Sequence, residues 1–431
     1  MKCAAIIMEC NPFHDGHQAI IHKAKEITGA DYLVVVMSGD FVQRGEPAIL
    51  PKETRVRDIL SAGAGLVIEL PLPYATGGAD YFARGAISLL SRLNVVTDLV
   101  FGSGSGNINE LSAIAEILTN EPLSYREAFR KAISSGAPYP TARAAALQAA
   151  AGLAMPEDAN DILGIEYLKA LRIPAAPTLP RGTGTGNASQ ITPHAVRRES
   201  EDSASRIRRA MLAENPAAMS PDTFSLPLLY KLRTELCQGS SCLSRYADVS
   251  EDLAARIAKL LPDYRGFSQF TSLVKTRSYT YTRISRALLH ILLNITREDL
   301  QSYESEGLVG YARVLGFRRE TGAALMHEIA VRASIPLITN LASALRTASI
   351  KPASIKPNSS SRDSTAATDD STTPGLSPLF RQMLEKDIAA SELYDLFAVQ
   401  TQKQFSATHA EIETGATVKV TPELSKRIII L

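Results

Sequence analysis

CAAIIMECNPFHDGHQAIIHKA, residues 3–24, carries two periodicities separated by a short polar turn. Ala4 to Glu9 is apolar until its last residue, the pattern of a short buried strand. From Gly16 to Ile27 apolar residues recur at Ala19, Ile20, Ala24 and Ile27, the spacing of one helix face. The alternation repeats downstream. Tyr32–Met37 (YLVVVM) is apolar on both faces, as a strand covered by helices on two sides must be. A helix is expected from about Pro51 to Ala62, a strand over Leu66–Leu70 and a helix over Ala79–Leu93. A strand over Asp98–Phe101 then runs into Gly102-Ser-Gly, and a helix spans Asn107–Thr119. Repeated β-α-β units predict an α/β fold, a Rossmann-like doubly wound parallel sheet. Such sheets bind ligands beyond the carboxyl ends of their strands. That nominates loops 9–17, 38–50, 71–78 and 102–107.

The remainder is mainly helical. Helices are expected near 124–134, 141–151 and 162–171. Amphipathic ones follow at Arg206–Leu212, Leu226–Leu236, Glu251–Leu261, Ile284–Leu293 and Glu320–Ala333. Residues 350–378 are rich in Ser, Thr, Pro and Asp and lack the apolar content to fold alone. The expected division is therefore a catalytic domain over 1–204, a helical domain over 205–348, a linker over 349–378, and a helical segment with tail over 379–431. With 431 residues, 45% hydrophobic and 21% charged, the chain is neither disordered nor fibrous. Forty-six basic against forty-five acidic residues leave a charge of +1, so nucleic-acid binding has to come from local patches. The four cysteines form no CxxC pair and are expected to be reduced thiols. No apolar run reaches ~18 residues, so no membrane association is expected and a cytoplasmic location is. The sequence does not fix the oligomeric state.

The turn itself reads Glu9-Cys-Asn-Pro-Phe-His14-Asp-Gly16-His17. A helix N-terminus presents unpaired N–H groups and partial positive charge to an anion. Gly16 would let a phosphate approach the backbone, and two imidazoles three residues apart can hydrogen-bond its oxygens as charge develops on a leaving pyrophosphate. Incidental histidines at a helix start are the plain alternative. His14-x-Gly-His17 after a strand and Asn-Pro-Phe resembles the signature of the HIGH-motif nucleotidyltransferase superfamily. Ser203-Ala-Ser205-Arg206-Ile-Arg208 resembles that superfamily's second phosphate-binding element, with Ala204 replacing a hydroxyl. Further motifs follow in order: Ser38-Gly-Asp-Phe-Val-Gln43-Arg44-Gly45-Glu46-Pro47, Ile68-Glu69-Leu70-Pro71, Ala79-Asp80-x-Phe82-Ala83-Arg84-Gly85, Phe101-Gly102-Ser103, Asn160-Asp161-Ile162-Leu163-Gly164 and Tyr279-Thr-Tyr281-x-Arg283-x-x-Arg286. Together they resemble the tRNA(Met) cytidine acetate ligase family over most of the chain.

That resemblance implies an enzyme that activates acetate with ATP as acetyl-adenylate. The acetyl group then passes to N4 of the wobble cytidine of elongator tRNA(Met). His14 and His17 are implied as catalytic. Ile7, Met8, Glu9, Asn11, Pro12, Phe13, Gly16 and Ile20, with both histidines, are implied as the ATP loop. Gly102, Asn160, Arg181, Ser205 and Arg208 are implied as further nucleotide contacts. Asp161 stands where the family more often has a second Asn. Mg²⁺ is expected to accompany ATP, with no protein metal site. Lys275, Arg277, Tyr279, Arg283 and Arg286 form an acid-free segment suited to RNA phosphates and bases, which Arg197, Arg198 and Arg209 would extend. Lys52, Arg55 and Arg57 read as a solvated helix face and Cys10 as packing. A small-metabolite adenylyltransferase is the alternative, but the long helical half favours a macromolecular substrate.

Overall fold

The computed structural model describes residues 1–173, 191–198, 204–215, 218–347, 376–408 (401–408 as backbone only) and 421–431. Its strands are β1 Cys3–Met8, β2 Tyr32–Ser38, β3 Phe41–Val42, β4 Glu46–Pro47, β5 Leu66–Leu70, β6 Asp98–Ser103, β7 Thr192–Arg197, β8 Ala312–Phe317, β9 Leu337–Ile338 and β10 Ile429–Ile430. The main sheet runs β10-β8-β5-β2-β1-β6-β7, with β9 beside β8, and β3–β4 form a separate hairpin. The β5-β2-β1-β6-β7 portion is parallel, and β8 joins it antiparallel through β5.

Alternation along the central strands explains the layers. Cys3, Ala5, Ile7, Val34 and Val36 face Phe82, Ala83 and Ala86 of the helix Ala79–Arg92. Ala4, Ile6, Met8, Leu33, Val35 and Met37 face the other way. They meet Ile21 and Ala24 of α1 (Asp15–Thr28) and Val56, Ile59 and Leu60 of α2 (Lys52–Ser61). Each fully buried side chain of this size stabilises by roughly 1.5–3 kcal/mol.

The expected helices form with small shifts at their ends, for example Lys52–Ser61, Ala159–Arg172 and Tyr281–Leu292. Two expectations change. The sheet takes strands from 312–317, 337–338 and 429–430, so it does not stop at residue 204. Arg55 and Lys52 are 0% and 2% exposed, although Arg57 does face solvent. The physical reason is pairing. The Arg55 guanidinium donates to the carbonyls of Glu9, Ser38, Gly39 and Leu50, closing the carboxyl ends of β1 and β2. Most of the 349–378 stretch lies outside the described residues, and a helix spans Pro378–Thr408.

Candidate active site

His14 is the N-cap of α1. Its Nδ1 accepts the Gly16 N–H at 3.1 Å, and the Nδ1 of His17 accepts the His14 N–H at 3.3 Å. Two of the orphan donors of a helix start are therefore satisfied by imidazoles. The consequence is chemical. With Nδ1 accepting in both rings, the neutral proton sits on Nε2, and each ring keeps one N–H to donate elsewhere. Burial, then Arg198, pull His14 below its ordinary value. Burial, then His14 and Arg198, pull His17 down to about 3. The ring centroids are 3.9 Å apart. Both shifts favour neutral N–H donors, since two rings this close disfavour a second positive charge. Phe13 stacks on His17 at 5.7 Å. A Cβ on Gly16 would sit 2.9 Å from His14 Cε1, so glycine here makes room for the cap.

Other expected contacts divide. Phe13, His14, Gly16, His17 and Ile20 are partly open, whereas Ile7, Met8, Asn11 and Pro12 are buried. Asn11 Oδ1 accepts the Ile49 N–H at 2.8 Å. Arg208 donates to the Asn11 carbonyl at 2.7 Å, lies 3.3 Å from Glu46 and 3.3 Å from Ser205 Oγ, so the second element does meet the first turn. Gly102 closes the opposite wall; a Cβ there would touch only Arg198 and Ile20 at 3.6–3.8 Å, so no protein atom demands glycine. Asn160 bonds its own cap, Asp158. Asp161 is tied to the Ser103 hydroxyl and, at 3.0 Å each, to the N–H groups of Gly104 and Ser105, which makes it a brace for the β6 exit. Arg181 lies outside the described residues. Arg198 follows β7, its N–H bonded to the Ser103 carbonyl and its exposed side chain packed beside Gly102. The sequence offered it as an extension of the RNA patch; its place next to Gly102 also makes it a candidate for the nucleotide side.

Beneath the 38–50 loop lies a buried ionic cluster. Lys52 Nζ meets Asp40 at 3.2 Å, Glu69 at 3.6 Å, Glu423 and Ser391 Oγ. Arg313 pairs with Glu69 at 2.6 Å and with Glu423. Lys426 joins Glu423 at 3.0 Å, Glu53 and Asp395. Its residues come from the sheet, the helix Pro378–Thr408 and the C-terminal tail, fixing the loop from below.

The basic segment is mixed in character. Lys275 and Arg277 are exposed. Arg283 lies 4.9 Å over the Tyr279 ring, whose hydroxyl is 2.8 Å from Ser250 Oγ, and Arg286 pairs with Asp248 at 3.1 Å. Those three are engaged in local structure. Their helix abuts the β3–β4 hairpin, since a Cβ on Gly45 would come within 2.3 Å of the Arg286 nitrogen.

A doubly wound sheet whose first strand-to-helix turn is capped by two imidazoles fits a nucleotidyltransferase-type protein. Residues 1–409 match the family model described as HIGH Nucleotidyl Transferase. The chain is 36% identical over 380 residues to the tRNA(Met) cytidine acetate ligase of Acetivibrio thermocellus, covering 80% of this chain and 90% of that one. It is 32% identical to the ligase of Thermosipho melanesiensis, covering 94% and 96%. The structure of Thermotoga maritima TmcAL bound with alpha-thio ATP superposes with a TM-score of 0.81 at 26% identity over the full length of both chains. The chain belongs to the tRNA(Met) cytidine acetate ligase family.

Proposed function

We propose that this protein is an ATP-dependent acetate ligase. It forms acetyl-adenylate, then transfers the acetyl group to N4 of the wobble cytidine of elongator tRNA(Met). The observation that carries the reading is the pair of capped imidazoles at the mouth of β1, in a chain related over its length to ligases of that name. Displacement of pyrophosphate by acetate needs no covalent enzyme intermediate; it needs alignment and charge stabilisation. His14 and His17 donate Nε2–H to the β,γ-phosphate side, Arg198 and Arg208 supply fixed positive charge, and Gly102 leaves room for adenosine. Among the described residues no group of three or more His, Cys, Asp or Glu is placed to hold a metal. Mg²⁺ is expected to accompany ATP on its phosphates. Among the described residues no helix is long and apolar enough to cross a membrane.

Acetate-stimulated exchange of radiolabelled pyrophosphate into ATP, without RNA, tests the first half-reaction. Exchange that ignores acetate but responds to another small acceptor would favour a metabolite adenylyltransferase.

Two substitutions separate the surfaces. Arg198→Ala removes a charge-assisted hydrogen bond worth about 1.5–3 kcal/mol, so KM for ATP should rise roughly 10–100-fold. An unchanged KM would remove Arg198 from the nucleotide wall. Lys275→Ala with Arg277→Ala should weaken tRNA binding and lower the salt slope by about 1–2, with exchange unaffected. An unaltered filter-binding slope would place the RNA elsewhere.

A further inference from the structure

The acyl-transfer half-reaction consumes a proton acceptor, and the imidazoles do not supply one because both Nδ1 atoms are engaged and both Nε2 atoms carry hydrogen. Of the other carboxylates near the turn, Asp15 is exposed to solvent and the rest are occupied. Asp161 binds three donors of the β6 exit, Asp158 caps its own helix, Glu46 pairs with Arg208, and Asp40 and Glu69 belong to the cluster around Lys52. Glu9 is different. It directly follows the central strand β1, five residues before His14, and keeps part of its surface exposed. Its Oε1 accepts the Gln43 N–H at 2.7 Å, while Arg55 holds its backbone carbonyl at 3.0 Å. Arg44 and Glu46 of the hairpin, Arg208 beyond it and Tyr167 from the helix Ala159–Arg172 face the carboxyl, and none of them is ion-paired to it.

We propose that Glu9 is the catalytic base of acetyl transfer, resting on the ligase reading above. The N4 lone pair forms a bond to the acetyl carbon, and the bond from that carbon to the adenylate oxygen breaks, with its electron pair leaving on AMP. N4 gives one proton to Glu9, which releases it to solvent. Burial raises the Glu9 carboxyl above its ordinary value, with the Gln43 N–H and Arg44 pulling the other way. A carboxylate whose pKa is raised by burial is a stronger base at working pH. The backbone anchors at Gln43 and Arg55 fix its position while leaving the second oxygen for the substrate amine.

The test separates the half-reactions. In Glu9→Gln, acetate-dependent pyrophosphate exchange falls far less than transfer does. Transfer from preformed acetyl-adenylate to tRNA falls roughly 10²–10⁴-fold. The acidic limb of the transfer rate against pH disappears, and Glu9→Asp restores part of the transfer. Equal loss in both half-reactions, undiminished transfer, or an unaltered pH limb in the residual rate would overturn the assignment. Wild-type protein with no acetate-dependent exchange would instead overturn the ligase reading itself.

Discussion

His17→Ala should cut acetate-dependent ATP–pyrophosphate exchange by roughly 10²–10³-fold, the loss expected when one preorganised donor to a developing oxyanion is removed. His14→Ala should do the same. The argument starts with the cap. Each imidazole spends its Nδ1 on a backbone N–H of the helix start, which fixes the ring plane and leaves Nε2–H as the remaining donor. Burial, then Arg198, lower His14, and burial, then His14 and Arg198, lower His17, which favours the neutral form of each ring. A neutral donor at a helix N-terminus binds phosphate without the cost of protonation, and the helix dipole and Arg198 supply the positive field. The same logic orders the variants. His17→Asn keeps an amide N–H and should retain more exchange than His17→Ala, because no charge was lost. Equal collapse of the Asn and Ala variants would argue for an imidazolium. The loss of a cap costs about 0.5–2 kcal/mol, so near-native melting should accompany the loss of exchange.

Glu423→Ala should destabilise the fold by roughly 3–5 kcal/mol, the penalty for leaving buried charge unpaired. Glu423 is 0% exposed and stands between Lys52, Arg313 and Lys426. Its burial pushes the carboxyl up, but those three cations hold it down to about 2. The sign follows. A carboxyl depressed in the fold stabilises fully above the ordinary Glu value, and that contribution disappears as pH falls through the folded value. Acid unfolding should therefore begin at higher pH in Glu423→Ala, which lacks the benefit at every pH. Glu423→Gln keeps a hydrogen-bond acceptor among those three cations and should be less damaging than Glu423→Ala. Urea denaturation reads both. A Glu423→Ala midpoint equal to the wild type would mean that the cluster is solvated. Because Lys52 and Asp40 support the 38–50 loop, exchange activity should fall along with stability.

The opening β-α-β run was legible because its signal is local. YLVVVM has no reading other than a covered strand, and His14 to His17 sit where a strand pattern gives way to a helical one. β8 was hidden for the opposite reason. Ala312–Phe317 is short, contains Arg313, and lies among helices, so only pairing with β5 reveals it. β7 carries Pro193 and His194, which weaken a strand pattern, so the place of Arg198 beside Gly102 was not legible either. Lys52 and Arg55 looked solvated because their partners are remote or are backbone carbonyls. Ser391 and Glu423 come from the far end of the chain, and no periodicity in α2 announces them. Gly16 was legible as a required glycine, although the required space is for the His14 ring.

The central claim is that capped imidazoles, with Arg198 beside them, drive acetate onto ATP so that its acetyl group reaches RNA. The most direct measurement incubates the protein with ATP, radiolabelled acetate and total tRNA, then digests the RNA and identifies the labelled nucleoside. The account predicts N4-acetylcytidine from elongator tRNA(Met), formed only with ATP and lost in His17→Ala. Label found on a free nucleotide or small metabolite, with the RNA untouched, would contradict it.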